Sequence, residues 1–147
     1  MTADSQSSSQ LGDISRFKGV DMITPTEWEA RVATKDYNSG LVNLAEVLAE
    51  RTKTENILLT LGKEGMLIHT NCSINGWVTD QLQSMNLAPK DVAGAGDSTL
   101  ICASMGLAVG YDIWQCAYLG SIAAACQIGS LGNTPLSPET LKKELLE

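Results

Sequence analysis

Aromatic residues are scarce in this sequence. They make up 5% of its 147 residues, and phenylalanine occurs once. A core built from such a chain must be aliphatic and rich in alanine. Basic residues are also few: 10 Lys and Arg stand against 17 Asp and Glu, a net charge of -7. That balance argues against nucleic acid or an anionic membrane surface as a partner. It leaves phosphate ligands open, because backbone amides and a metal ion can hold those. There is one histidine, His69, and none of the four cysteines forms a Cys-x-x-Cys pair, which argues against a zinc centre. Cys72, Cys102, Cys116 and Cys126 are expected to be reduced, three of them in small apolar segments where a thiol behaves as a small hydrophobe. The longest apolar run, residues 100–110, is too short for a membrane span. The opening residues 1–10 are polar and lack a signal-peptide pattern. A cytoplasmic location is expected.

Hydrophobic residues amount to 44%, enough for one domain. Residues 1–17 are serine-rich and read by composition as a tail. Residues 20–24 fit a short strand. Thr24-Pro25-Thr26-Glu27 then reads as a helix start, with Thr24 as the cap, Pro25 as the first helical residue and Glu27 as the reciprocal member of a capping box. After Asn38-Ser39-Gly40, the residues Leu41, Leu44, Ala45, Val47 and Leu48 share one face at helical spacing. Residues 56–61 form a near-continuous apolar run, as expected of a strand buried on both faces. A tight turn at 62–65 should lead into a hairpin partner over 66–70, and Asn75-Gly76 marks another turn before a short strand at 77–79. Residues 81–90 read as a connector. Two small-residue helices follow, over 98–109 and 112–128, both buried in appearance. A terminal amphipathic helix places Leu141, Leu145 and Leu146 on its apolar face. Trp28, Trp77 and Trp114 are read as packing residues, and Lys63 as a surface turn residue. The alternation predicts an α/β architecture.

The stretch Asp91-Val-Ala-Gly-Ala-Gly-Asp97 organises the chain. Small residues let the amides of Gly94, Ala95 and Gly96 turn inward together at a helix N-terminus, where donors and dipole favour an anion such as a phosphoryl group. Asp97 is itself negative and better suited to take a proton from an attacking hydroxyl. Taken alone, the same residues also describe a tight turn with Asp97 as a helix cap.

Residues 91–98 resemble the C-terminal signature of the ribokinase-like (PfkB) carbohydrate kinases. Ile23-Thr-Pro-Thr-Glu-Trp-Glu29 resembles the family's T-P-N-x-x-E motif, and Leu59-Thr-Leu-Gly-Lys-Glu-Gly-Met66 its L-T-x-G-x-x-G nucleotide turn. The motifs occur in the family's order. Within the family, Asp13-Ile-Ser-Arg-Phe-Lys-Gly19 and Gly129-Ser-Leu-Gly132 look like heptose-7-phosphate kinases of the ADP-heptose pathway. The resemblance implies that residues 1–147 form the C-terminal, ATP-binding part of a three-layer α/β/α fold, without the half that carries most sugar contacts and the lid. It also implies that residues from Asp4 onward follow a core strand rather than forming a free tail.

Its implied site has Asp97 as catalytic base, Gly94, Ala95 and Gly96 as an anion hole, and Thr60, Gly62 and Gly65 around the nucleotide. The adenine would lie between that turn and the helix over 112–128. Glu29 would touch magnesium through water; the family's Asn is Thr26 here, which puts part of that site in doubt. Asp91 and the carbonyl of Ala93 match part of a potassium loop in some relatives, but the match near Gly132 is poor. The implied substrates are ATP and a sugar or sugar phosphate. A half-fold of this kind could bind nucleotide without catalysing transfer, or pair through an exposed sheet edge as a homodimer or with another chain.

Overall fold

The computed structural model describes residues 1–5, 12–72, 74–86, 88–129, 132 and 135–146. The chain divides into two compact units, Met1–Leu61 with Met66–Gln81, and Gly62–Gly65 with Leu82–Glu147.

The first unit is built on a sheet of five strands: β1 (Thr2–Ala3), β2 (Met22–Ile23), β3 (Asn56–Thr60), β4 (Met66–Cys72) and β5 (Gly76–Leu82). They are ordered β1-β2-β3-β4-β5, so neighbours in sequence are neighbours in space. β1 and β2 are parallel, with Ala3 opposite Ile23, as are β2 and β3, with Ile23 opposite Ile57. β4 returns antiparallel, Leu67 opposite Leu59. The expected hairpin is thus present, and β5 is longer than the 77–79 stretch expected. The opening residues are not a free tail where they are described: β1 sits at the sheet edge, and Ile14, in a short 3-10 turn at Ile14–Arg16, is fully buried.

Two helices, α1 (Glu27–Thr34) and α2 (Leu41–Thr52), cover one face. Their apolar residues Ala30, Ala33, Leu44, Ala45 and Leu48 join Ile14, Ile23, Ile57, Leu59 and Leu67 in a single cluster. Strand parity puts Met22, Leu58 and Ile68 on the opposite face, and these are buried too. This explains the unbroken apolar run of β3.

The start of α1 corrects the expected cap. Thr26, not Thr24, is the N-cap: its hydroxyl accepts the Glu29 N–H at 3.2 Å, and Glu29 Oε2 accepts the Thr26 N–H at 2.8 Å. The reciprocal acid is therefore Glu29, while Glu27 pairs with Arg31 one turn on. The reason lies in the strand before it. The Thr24 N–H bonds to the Ala3 carbonyl, and the Pro25 carbonyl takes the Thr60 N–H at 2.8 Å. Both residues are held in sheet pairing, so the helix begins after them. Trp28 and Trp77 are also corrected: they are 57% and 44% exposed and do not fill the core.

The second unit holds α3 (Ala95–Ala108), α4 (Ile113–Ile128) and α5 (Pro138–Leu146). Asp112 and Gln115 form a capping box at the start of α4. α3 and α4 approach closely through small residues. A Cβ on Gly120 would lie 3.1 Å from the Thr99 carbonyl oxygen, and one on Gly106 would lie 3.2 Å from Cys116 Sγ. Neither helix is buried all round: Ile101, Met105, Val109 and Tyr118 are exposed. The expected apolar face of α5 is open as well, with Leu145 and Leu146 exposed. Among the described residues, no helix is long and apolar enough to cross a membrane.

The two competing caps of α1 separate by mutation. Thr26→Ala should lower the unfolding free energy by about 1 kcal/mol in a urea titration. Thr24→Val removes a buried hydroxyl that has no hydrogen-bond partner, so it should be close to neutral.

Candidate nucleotide and phosphoryl site

In the second unit, residues 90 and 91 are tied to the end of α4, where the N–H groups of Lys90 and Asp91 donate to the Ile128 carbonyl at 2.8 and 3.3 Å. The Asp91 carboxylate then orders the turn. One oxygen accepts the Ala93 N–H at 3.0 Å and the other the Gly132 N–H at 3.2 Å. Two segments 41 residues apart are thereby joined. Ser130 and Leu131 of the 129–132 motif lie outside the described residues.

The chain next turns through Gly94 at φ 79°, ψ 0°. This left-handed conformation costs a residue with a Cβ about 1–2 kcal/mol, and it makes Gly94 the N-cap of α3. The helix therefore starts at Ala95, three residues earlier than expected, and Asp97 stands in its first turn rather than at its cap. Asp97 and Gly96 are exposed. The three amides of the proposed anion hole are not equivalent. The Ala95 N–H is directed to the Val92 carbonyl at 3.4 Å, whereas among the described residues no acceptor stands against the N–H groups of Gly94 and Gly96. Free donors at the positive end of a helix attract an anion.

The turn at Gly62–Glu64 is a short 3-10 segment closed by a bond from the Gly65 N–H to the Gly62 carbonyl. Its two glycines have different reasons to be there. Gly62 has φ 60° and open space around it. Gly65 has φ 93°, and a Cβ there would lie 2.0 Å from the Leu82 carbonyl oxygen and 2.7 Å from the Ser84 nitrogen. The closest backbone to Gly65 is thus that of residues 82–84. Within the connector, Asn86 caps the end of α4 by donating to the Ala125 carbonyl at 3.1 Å. Sequence reasoning had passed over Asn86, because its partner lies 39 residues away and leaves no local signal.

The remaining site residues lie in the first unit. The Thr60 N–H and hydroxyl both donate to the Pro25 carbonyl, and Thr26 bridges Thr60. The Thr-Pro-Thr-Glu motif and the end of β3 are therefore side by side. Glu29 is 5% exposed and engaged in capping. Among the described residues, no group of three His, Cys, Asp or Glu could hold a metal. These donors do not form a protein cage. Burial pushes the Cys102, Cys116 and Cys126 thiols above their ordinary range, so they behave as inert apolar groups.

The pfkB family of carbohydrate kinases matches residues 2–140. The chain belongs to that family. A curated relative, the bifunctional protein HldE of Geotalea uraniireducens, is 29% identical over 136 residues, covering 90% of this chain and 27% of the relative. The chain thus spans about a quarter of the length of the curated relatives it matches. An Arabidopsis thaliana ribokinase solved with ribose and ATP superposes with a TM-score of 0.72 at 19% identity, covering 87% of this chain and 41% of that one. Escherichia coli phosphofructokinase-2, solved in complex with potassium, gives 0.78 at 15% identity, with coverages of 99% and 46%. At such identities the superpositions establish the ribokinase-like α/β fold.

Gly62 and Gly65 should respond unequally to an added methyl group. Gly65→Ala should cost more than about 3 kcal/mol, beyond the usual range for overpacking. Gly62→Ala should cost about 1 kcal/mol for the left-handed backbone alone. Thermal unfolding of the two variants reads the difference.

Proposed function

We propose that this chain supplies the nucleotide site and catalytic base for ATP-dependent phosphorylation of a hydroxyl on a sugar or sugar phosphate, of the heptose-phosphate type. The observation that carries the reading is the Gly94–Asp97 turn inside a family match of residues 2–140: glycine amides at the start of α3 that have no acceptor among the described residues, with a carboxylate exposed in its first turn.

The terminal phosphates of ATP would be held by the N–H groups of Gly94 and Gly96, with Ala95 and the dipole of α3 adding to the field. Asp97 would accept the proton of the acceptor hydroxyl as its oxygen bonds to the terminal phosphorus and the bond from that phosphorus to ADP breaks. Donors aimed at the charge of the transferring group are the usual main source of catalysis in this chemistry. Magnesium, when bound with the nucleotide, supplies charge neutralisation of the phosphate oxygens; Glu29 is the residue proposed to meet it, through water. Thr60, Gly62 and Gly65 are the proposed nucleotide neighbours. Asp91 and the Ala93 carbonyl are proposed for a potassium ion, supported by the bond that already links Asp91 to Gly132. The reading carries with it a cytoplasmic setting, where ATP is abundant, and no nucleic-acid or membrane partner.

A second reading has specific support. β1 is an edge strand of two residues, and α3 exposes Ile101 and Met105, with Val109 exposed just after it. Residues 1–147 would then act as a nucleotide-binding part that pairs with a second copy or another chain to complete the acceptor site.

Calorimetric titration with ATP and magnesium tests both. Weak binding is expected, reduced sharply in Gly96→Val and retained in Asp97→Asn. In any preparation that phosphorylates sugar, Asp97→Asn should lower turnover by about 10²–10⁴-fold. Near-normal turnover would remove Asp97 as the base. Absence of nucleotide binding at high protein concentration would favour a purely associative role.

A further inference from the structure

His69 is fully buried on β4, on the face shared with Leu67. Its ring lies flat against Trp77 of β5, with centroids 4.6 Å apart and planes 5° from parallel. Nδ1 is 2.8 Å from the Thr79 hydroxyl. Nε2 is buried and, among the described residues, has no hydrogen-bond partner. Two of the contacts joining β5 to β4 therefore pass through one imidazole. A neutral ring meets this geometry with one nitrogen bonded and one bare. A charged ring carries an N–H donor at each nitrogen, and among the described residues the proton on Nε2 would face no acceptor.

We propose that His69 is a pH-sensitive latch that holds β5 on β4 while its ring is neutral and releases the strand when the ring is protonated. β4 itself carries no charged residue. α2 packs over this face and brings Glu46, whose carboxylate favours the charged ring; Glu50 and Arg51 lie further along the same helix. β3 contributes no charge opposite His69, whose partner is Ile57, with Glu55 just before the strand. On β5 the charged residue is Asp80, at a position of opposite parity to Trp77 and Thr79. Burial outweighs Glu46 and pushes the imidazole below its ordinary value. The sign follows. The latch is whole above about pH 6.5, where folded and unfolded rings are both neutral, and weakens as pH falls from there through the lower value of the folded ring.

The full chain tests this directly, because its one histidine gives an unambiguous proton resonance. His69 should titrate below 6.5. The Trp77 emission, assigned with Trp77→Phe, should be quenched along the same curve. Amide exchange of β5, corrected for its intrinsic pH dependence, should speed up about tenfold per pH unit within the window, while β3 stays protected. His69→Gln should abolish the pH dependence; if that variant does not fold, the wild-type exchange data decide alone. A histidine titrating at or above 6.5, flat β5 exchange, or loss of protection in β3 together with β5 would each overturn the latch.

Discussion

The hydrogen bond from the Thr60 N–H to the Pro25 carbonyl sets much of the first unit. It carries the parallel pairing of β2 and β3 past the last residue of β2. That fixes where the strand stops, and therefore where α1 can start. Proline suits the position because it has no N–H to offer the sheet and a carbonyl to give. With Pro25 held this way, Thr26 becomes the first residue able to cap, and Glu29 is drawn back to it. The helix then runs over Ile23 and Leu59 and closes the core. The end of β3 and the Thr-Pro-Thr-Glu motif come to lie together as a consequence of strand pairing, without needing a ligand to gather them.

The second unit has a comparable fixed point in Asp91. A carboxylate that accepts N–H groups from Ala93 and Gly132 ties the loop after α4 to the loop before α3. Hydrogen bonds to a charged acceptor are stronger than neutral ones, and these two restrain the entry to Gly94. The left-handed step at Gly94 then turns the chain into α3. Asp91 is thus useful to the fold whether or not a cation visits it.

Much of the order of elements was legible from the sequence, because hydrophobic period and turn residues act locally. The hairpin at β3 and β4, the face of α2 and the capping box at Asp112 follow from near neighbours. The cap of α1 did not. Thr24 with Glu27 and Thr26 with Glu29 satisfy the same Thr-x-x-Glu spacing, and Pro25 favours the first frame at the local level. Only the long-range bonds from Thr24 to Ala3 and from Thr60 to Pro25 choose the second. The helix start at Gly94 was missed because a backbone angle, not a side chain, makes the cap. Trp28 and Trp77 were read as packing residues, and they pack at the surface rather than in the core, against Tyr37 and His69. On the candidate site, the motifs drew attention to Asp97 and its glycines, but the tie from Asp91 to Gly132 joins distant segments and left no local mark.

The glycines of the two motifs show how far such a pattern can speak for function. Gly65 is required by packing, since any Cβ would strike the backbone at Leu82. Its presence would be explained in a protein that bound nothing. Gly94 is required by backbone conformation at a helix start, which again needs no ligand. Gly62 and Gly96 differ: a Cβ on either would meet open space. At Gly62 the positive φ is still a local reason. At Gly96, in the first turn of a regular helix, neither φ nor crowding demands glycine, and glycine there costs about 1 kcal/mol relative to alanine. A residue that weakens its own helix without relieving any clash asks for a reason outside the fold. Close approach of a phosphate to the amide at that point provides one, so the weight of the kinase reading at this turn rests on Gly96 more than on the glycines the fold already explains.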